Sequence, residues 1–242
     1  MKRTTLIMTA LLGMFCFAQE IRPRWELALN GGDLDAIVST GTQRFLVKAT
    51  GAEKLEWGPG RLGGKALYFK NDVNCKEKPM GTLAIPAEEH FDFSQPFTMM
   101  CWFRPDPKLR GNMQYTIFGN TPSDYGPGFR LIYGWGAIRV TMGQGSAGKG
   151  GGFVAPASKL KVALGTWNHI AIRNDGNRVS IFYNGIEVAS TERKIFPAKP
   201  RPFHIGTYNG YAYCYSGAIS EFKMFDQALD AEQILRIAKE LD

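Results

Sequence analysis

From Gly64 to Phe225 the chain is written in short runs of alternating apolar and polar residues closed by turn signals, and two of those turns leave little conformational freedom. Asp175-Gly176 separates Ile170-Ala171-Ile172-Arg173 from Val179-Ser180-Ile181-Phe182-Tyr183, and Asn184-Gly185 separates that run from Ile186-Glu187-Val188. Both dipeptides accept the positive φ of a two-residue hairpin turn, so three consecutive antiparallel strands are specified. The same logic reads strands at 66–70, 81–85, 97–104, 115–119, 128–133, 137–142, 167–174, 178–183, 186–191, 203–207 and 217–225. Regularly spaced short strands predict a sandwich or barrel. Alternation points Phe97, Met99, Cys101 and Phe103 to one side, with Ile170, Ile172, Val179, Ile181 and Tyr183. Trp167 is expected to anchor the core, with His169 structural.

Both ends depart from this pattern. Asp230-Ala231-Glu232-Gln233 opens a short amphipathic helix with Ile234, Leu235, Ala238 and Leu241 on one side. Asp230 is its N-cap and Gln233 holds the capping-box position, and the helix is expected on the end of the sandwich. At the other end, Lys2-Arg3, an apolar run from Leu6 to Phe17 and small residues Cys16 and Ala18 make a secretory leader cut after Ala18. Residues 1–18 are therefore expected to be removed, which lowers the formal net charge from +7 to +5. The mature chain would be secreted, periplasmic or displayed at the cell surface, with no membrane span. Its basic residues are scattered, so no nucleic-acid partner is expected. Residues 19–63 read as an edge strand at 26–29 and loops of the same domain, and 64–242 as the main unit. A length of 242 residues suits one all-β domain.

Four phrases occur in one order: Gly64-Lys65-Ala66-Leu67-Tyr68-Phe69; Phe97-Thr98-Met99-Met100-Cys101-Trp102-Phe103-Arg104-Pro105; Thr166-Trp167-Asn168-His169-Ile170-Ala171 leading to Ile181-Phe182-Tyr183-Asn184-Gly185; and Phe203-His204-Ile205-Gly206 with Gly217-Ala218-Ile219-Ser220-Glu221-Phe222-Lys223-Met224-Phe225 and Ala228-Leu229-Asp230-Ala231-Glu232-Gln233-Ile234. Together they resemble the laminin-G-like jelly-roll domain of the concanavalin-A-like lectin/glucanase superfamily, over about residues 64–240. The resemblance implies an all-β, two-sheet antiparallel jelly-roll sandwich with a short C-terminal helix. In such a sandwich the early strand 66–70 and the late strand 217–225 are neighbours. Of the cysteines left after cleavage, Cys75 and Cys214 lie near them and are expected to form a disulfide, with Cys101 a free, buried thiol.

Catalytic chemistry is hard to place. Related glucanases use Glu-x-Asp-x-Glu on one strand, because acid and nucleophile must face the sugar about 5 Å apart, and that triplet is absent here. Glu53/Glu56, Glu88/Glu89 and Asp33/Asp35 fall in apparent loops. The octapeptide from Gly143 to Gly150 approaches a phosphate-binding loop but puts Gly150 where a hydroxyl should bind magnesium, and no helix follows. His90, His169 and His204 have no zinc spacing. The resemblance admits calcium, for which Asp72 and Asp124 are the candidate ligands; no cofactor is required.

What remains is aromatic residues at strand ends. Tyr125, Trp135 and Arg139 flank one turn, with Tyr133 beside them, and Tyr208, Asn209, Tyr211 and Tyr213 crowd another, with Tyr215 following. Flat rings with polar handles can stack on sugar faces while Arg139 and Asn209 bond hydroxyls. A non-catalytic module binding a glycan or extracellular protein at the sandwich rim is the leading expectation. A sandwich glycosidase with unrecognised carboxylates and a structural envelope protein without a small ligand stay open.

Overall fold

The computed structural model describes residues 21–143, 152–154 and 160–239. The leader, most of the glycine-rich octapeptide and Leu241 lie outside the described residues. In chain order the strands are β1 (Trp25–Leu27), β2 (Lys48–Thr50), β3 (Leu55–Pro59), β4 (Lys65–Lys70), β5 (Thr82–Ile85), β6 (Phe97–Pro105), β7 (Gln114–Gly119) and β8 (Phe129–Gly134), then β9 (Ala137–Met142), β10 (Gly152–Val154), β11 (Asn168–Asn174), β12 (Val179–Tyr183), β13 (Ile186–Thr191), β14 (Phe203–Ile205) and β15 (Ser216–Phe225), followed by α1 (Ala231–Lys239).

Two antiparallel sheets form the expected sandwich. The eight-stranded sheet runs β13-β12-β11-β6-β15-β4-β3, with β1 also paired to β15, and the seven-stranded sheet runs β10-β9-β8-β7-β14-β5-β2. Residues 21–63 therefore supply strands to both sheets. The early strand β4 is indeed a neighbour of the late strand β15. Asn184 and Gly185 both take positive φ, at 49° and 79°, and close the two-residue turn as their side chains permit. The other hairpin is looser than expected. Its last pair is Asn174 with Val179, and the Asp175 carboxylate accepts from the Asn177 and Arg178 main-chain N–H groups across a longer turn.

Side-chain alternation builds the core between the sheets. Phe97, Met99, Cys101, Phe103, Ile170, Ile172, Val179 and Ile181 all lie in it, and Tyr183 packs at its edge. Trp167 does not: counting back from Ile170, it shares the outward parity of His169 and stays half-buried outside the core. The anchoring tryptophan is Trp25, which meets Phe45, Phe93 and Phe203 edge-on or tilted at 5.8–5.9 Å between centroids. Its indole N–H donates to the Gln43 amide oxygen at 3.0 Å, so the polar handle is satisfied as the ring is buried.

The C-terminal helix is capped as the sequence specifies. Gln233 N–H donates to Asp230 Oδ1 at 2.7 Å and Asp230 N–H donates to Gln233 Oε1 at 2.8 Å, a reciprocal capping box. The helix covers the outer face of the eight-stranded sheet and not the end of the sandwich. Ile234 joins Leu229 and the strand residues Met100, Ala171, Phe182 and Phe225 in a second apolar cluster, because those four strand residues have the parity opposite to the core set.

The expected Cys75–Cys214 disulfide is not formed: all three described cysteines are free thiols. The two segments do meet, but the Cys75 thiol donates to the Cys214 carbonyl at 3.3 Å and the Cys214 thiol to the Asp72 carbonyl at 3.4 Å. Main-chain acceptors take the place of the partner sulfur. Cys101 is buried in the core as expected.

Candidate functional site

The seven-stranded sheet presents its outer face through β7, β8 and β9. In β8 the core takes Phe129, Leu131 and Tyr133, so the intervening Arg130 is turned to the other side. Its guanidinium is buried against aromatic rings, 4.6 Å from the Tyr208 centroid and 5.0 Å from that of Tyr213. Nη2 donates to Asp124 Oδ1 at 2.8 Å and to Gln114 Oε1 at 2.9 Å, so the buried charge has an anion and an amide as partners.

The turn after β14 supplies the rings. Asn209 and Gly210 take φ of 52° and 80°, and Tyr208 N–H donates to the Ala212 carbonyl at 2.8 Å, which folds the segment back on itself. Tyr208 thereby stands 6.0 Å from Tyr211 and 5.8 Å from Tyr213, centroid to centroid. Tyr208 is fixed further by donating its hydroxyl to the Pro122 carbonyl at 2.8 Å, while Tyr211 is 54% exposed. Burial raises the Tyr208 hydroxyl above its ordinary value, so the phenol remains a donor. Asn209 Oδ1 accepts from Arg201 Nη2 at 3.0 Å.

The second group lies at the β8–β9 hairpin. Trp135 sits at φ 51°, is 51% exposed, and carries the Arg139 guanidinium 5.1 Å from its centroid. Gln114, which accepts from Arg130, is the cross-strand partner of Gly134, so the two groups meet along the β7–β8 ladder. Tyr125 is half-buried beside Asp124 and makes no ring contact with the tyrosines among the described residues. Tyr133 and Tyr215 belong to the core. The central member of the surface, Arg130, is absent from the sequence reading, although a lone cation inside the apolar run from Phe129 to Gly134 was its signal.

Asp72 and Asp124, the candidate calcium ligands, each have protein partners. The Asp72 carboxylate accepts from the Asn74 and Lys76 main-chain N–H groups at 3.0 and 3.2 Å, bonds that hold its pKa below the usual carboxylate value, and Asp124 is paired with Arg130. Among the described residues no group of three or more His, Cys, Asp or Glu side chains could hold a metal ion. Exposed rings with hydroxyl, amide and guanidinium groups at their edges are suited to stacking and hydrogen bonding.

The fold has solved counterparts. Domain 4 of AbnA, a GH43 extracellular arabinanase from Geobacillus stearothermophilus, in complex with arabinotriose, superposes with a TM-score of 0.67 at 19% identity, covering 91% of this chain and 100% of that one. The botulinum neurotoxin serotype C1 binding domain superposes with a TM-score of 0.66 at 12% identity over 91% of this chain. The binding domain of botulinum neurotoxin DC in complex with SialylT gives 0.66 at 13% identity, again over 91%. The chain spans about half the length of both toxin domains, 52% and 51%. No curated protein sequence matches it. No described helix is long and apolar enough to cross a membrane. Residues 80–235, more than half of the sequence, match the laminin-G-like family described as the concanavalin A-like lectin/glucanases superfamily, and the chain belongs to that family.

Proposed function

We propose that the protein is a non-catalytic carbohydrate-recognition module, delivered outside the cytoplasm by its leader, that contacts sugar through Tyr208, Tyr211 and Tyr213, with Trp135 and Arg139 extending the surface. The observation that carries this reading is the tyrosine group gathered around the buried Arg130, which is ion-paired with the half-exposed Asp124. An aromatic platform on a turn pinned by the Tyr208–Ala212 and Tyr208–Pro122 hydrogen bonds loses little entropy on binding, and its hydroxyls and amide edges give orientation. Arabinotriose in the arabinanase domain supports a sugar as the ligand. The reading requires no metal.

A glycan array probed with the chain after removal of residues 1–18 tests it, alongside reducing-end release from labelled polysaccharides. Retention of one oligosaccharide class without turnover is expected. Turnover that is lost in Glu221→Gln, a carboxylate held in a sheet strand, would replace the reading with a glycosidase. Neither retention nor turnover would favour a structural envelope protein.

A further inference from the structure

The outer face of the eight-stranded sheet, away from the tyrosine platform, carries a groove built by a bulge. In β15 the core takes Ile219, Phe222 and Met224. Two residues, Ser220 and Glu221, stand between the first pair, where strict alternation places one. The register against β6 shifts at that point and Glu221 takes φ 53°, so the extra residue is turned outward with Ser220. Left-handed backbone at a residue other than glycine is costly and persists only where its surroundings hold it. Here Glu221 N–H donates to the Ala28 carbonyl at 3.1 Å, which ties the bulge to the segment after β1. A groove of about 320 Å³ opens at this place, lined by Ser220, Glu221 and Lys223 of the strand and flanked by Asn30, Leu62 and Lys65. That volume lies in the roughly 300–1,000 Å³ range of small-ligand pockets.

Most of the charge around the groove is already engaged. Glu26 and Lys223 are partners in the β1–β15 ladder and their charged ends lie 3.6 Å apart. The Arg61 guanidinium is stacked 4.0 Å from the Trp102 centroid and reaches Glu221 only as a charge. Glu221 and Lys65 are left. The Glu221 carboxylate is half-buried and feels burial and neighbouring charges, with no hydrogen bond from the described protein. Burial is the largest effect and raises its pKa, with Glu26 adding to the rise and Arg61 and Lys223 opposing it. A carboxylate taken partly out of water without a donor gains from any ligand hydroxyl that reaches it. Lys65 is exposed, and Gly31, at φ 125°, makes room for its stem: Lys65 Cδ lies 3.3 Å from where a Cβ at residue 31 would stand. With one anion and one cation left over, a ligand carrying net charge is attracted by one and repelled by the other.

We propose that this groove binds a neutral sugar through a vicinal diol, with the Glu221 carboxylate accepting from both hydroxyls, Lys65 donating to a third oxygen and Leu62, 61% exposed, covering the apolar edge of the ring. Two adjacent hydroxyls offer two donors to the two carboxylate oxygens, and bonds to an ionised acceptor are roughly twice as strong as neutral ones. A uronate or sulfated sugar would meet Glu221 and Glu26 as like charges, and an ammonium ligand would meet Lys65 and Lys223. This site lies on the other sheet from the tyrosine surface and does not depend on it.

The test is titration of the isotope-labelled mature chain at neutral pH with mannotriose, xylotriose and cellotriose, each beside its permethylated form, followed by heteronuclear NMR. The Glu221 carboxylate carbon is assigned by its loss in Glu221→Gln. At least one trisaccharide is expected to shift that resonance together with the Gly31 and Leu62 amides, while its permethylated form, which has no hydroxyl to donate, shifts none of them. Glu221→Gln should weaken binding by about tenfold or more, as loss of a bond to a charged group does. Lys65→Met, at an exposed position, should weaken it several-fold and serves in place of Glu221→Gln if that variant fails to fold. Tyr211→Ala should leave the shifts unchanged. No shift at Glu221 with any of the sugars at millimolar concentration, equal binding of a permethylated sugar, or full affinity in the folded variant would each overturn the assignment. Shifts confined to the turn after β14 and lost in Tyr211→Ala would overturn it as well, and would leave the sugar on the tyrosine surface.

Discussion

Cys75 and Cys214 show how a few ångströms divide the behaviour of chemically identical groups. The Cys214 thiol beside it lowers the Cys75 pKa, while the same contact, followed by burial, raises Cys214. Cys101 is raised by desolvation in the core. Since the thiolate is the nucleophile, native-state alkylation mapped by mass spectrometry should label Cys75 first and Cys101 last. Labelling of Cys101 as fast as Cys75 would show that the core opens there. At this scale the sequence was informative where turn chemistry concentrates one residue type, as at Tyr208, Tyr211 and Tyr213. It was misleading for Trp167, whose conspicuous size suggested a core role although parity from Ile170 turns it outward. Trp25 and Arg130 were missed for opposite reasons. The segment around Trp25 has too few residues per strand to show a period, and Arg130 contradicts the apolar strand it sits in until the Tyr208 and Tyr213 rings that receive it are known.

Strands and helix were far more legible than their surroundings, because hairpin turns and caps are local codes. Every strand expected from 66 onward is present, with ends displaced by a residue or two as fraying and turn type dictate. The strands β2 and β3, each short and paired on one side in its sheet path, carry little periodic signal. β1 carries a little more, and the edge strand expected at 26–29 overlaps it at Glu26 and Leu27. β15 hides a further feature: its register against β6 shifts between Ser220 and Lys223, Glu221 takes φ 53°, and Glu221 N–H donates to the Ala28 carbonyl at 3.1 Å. Such a bulge lets one strand serve β4 along one half and β1 along the other. The helix provides the direct test of element-level reading. Asp230→Ala removes one arm of the capping box and should cost about 1 kcal/mol. Thermal unfolding should show this as a fall of about 2–4 °C for a domain of this size. An unchanged melting temperature would mean that packing on Met100 and Phe182 alone sets the helix.

Across the molecule, two histidines tie stability to pH. Burial depresses His169 to about 3 and His204 to about 4, both below the unfolded value of about 6.5. Protonation therefore favours the unfolded chain. Stability from this source is complete above about pH 6.5 and declines as pH falls through the range toward the folded values. Denaturation by urea at pH 7 and pH 4.5 should show a lower midpoint at the acid pH, and His169→Gln should narrow the difference; an equal drop in that variant would assign the acid sensitivity elsewhere. The two-sheet architecture was legible as a whole, since alternation and turns specify sandwich strands wherever they pair. The pairing itself is a long-range property, so the position of α1 on a sheet face and the meeting of β8 with the turn after β14 needed coordinates. Of the three tyrosines proposed to contact sugar, Tyr211 is the exposed one and carries the stacking that Tyr208 and Tyr213 extend. The most direct measurement is a parallel titration and melting experiment on the wild-type chain and Tyr211→Ala, using the oligosaccharide class retained on the array. Tyr211→Ala should lose about 1 kcal/mol or more of affinity, as lost stacking gives, with a nearly unchanged melting temperature. Full affinity in Tyr211→Ala, or a large fall in its melting temperature with binding intact, would contradict it.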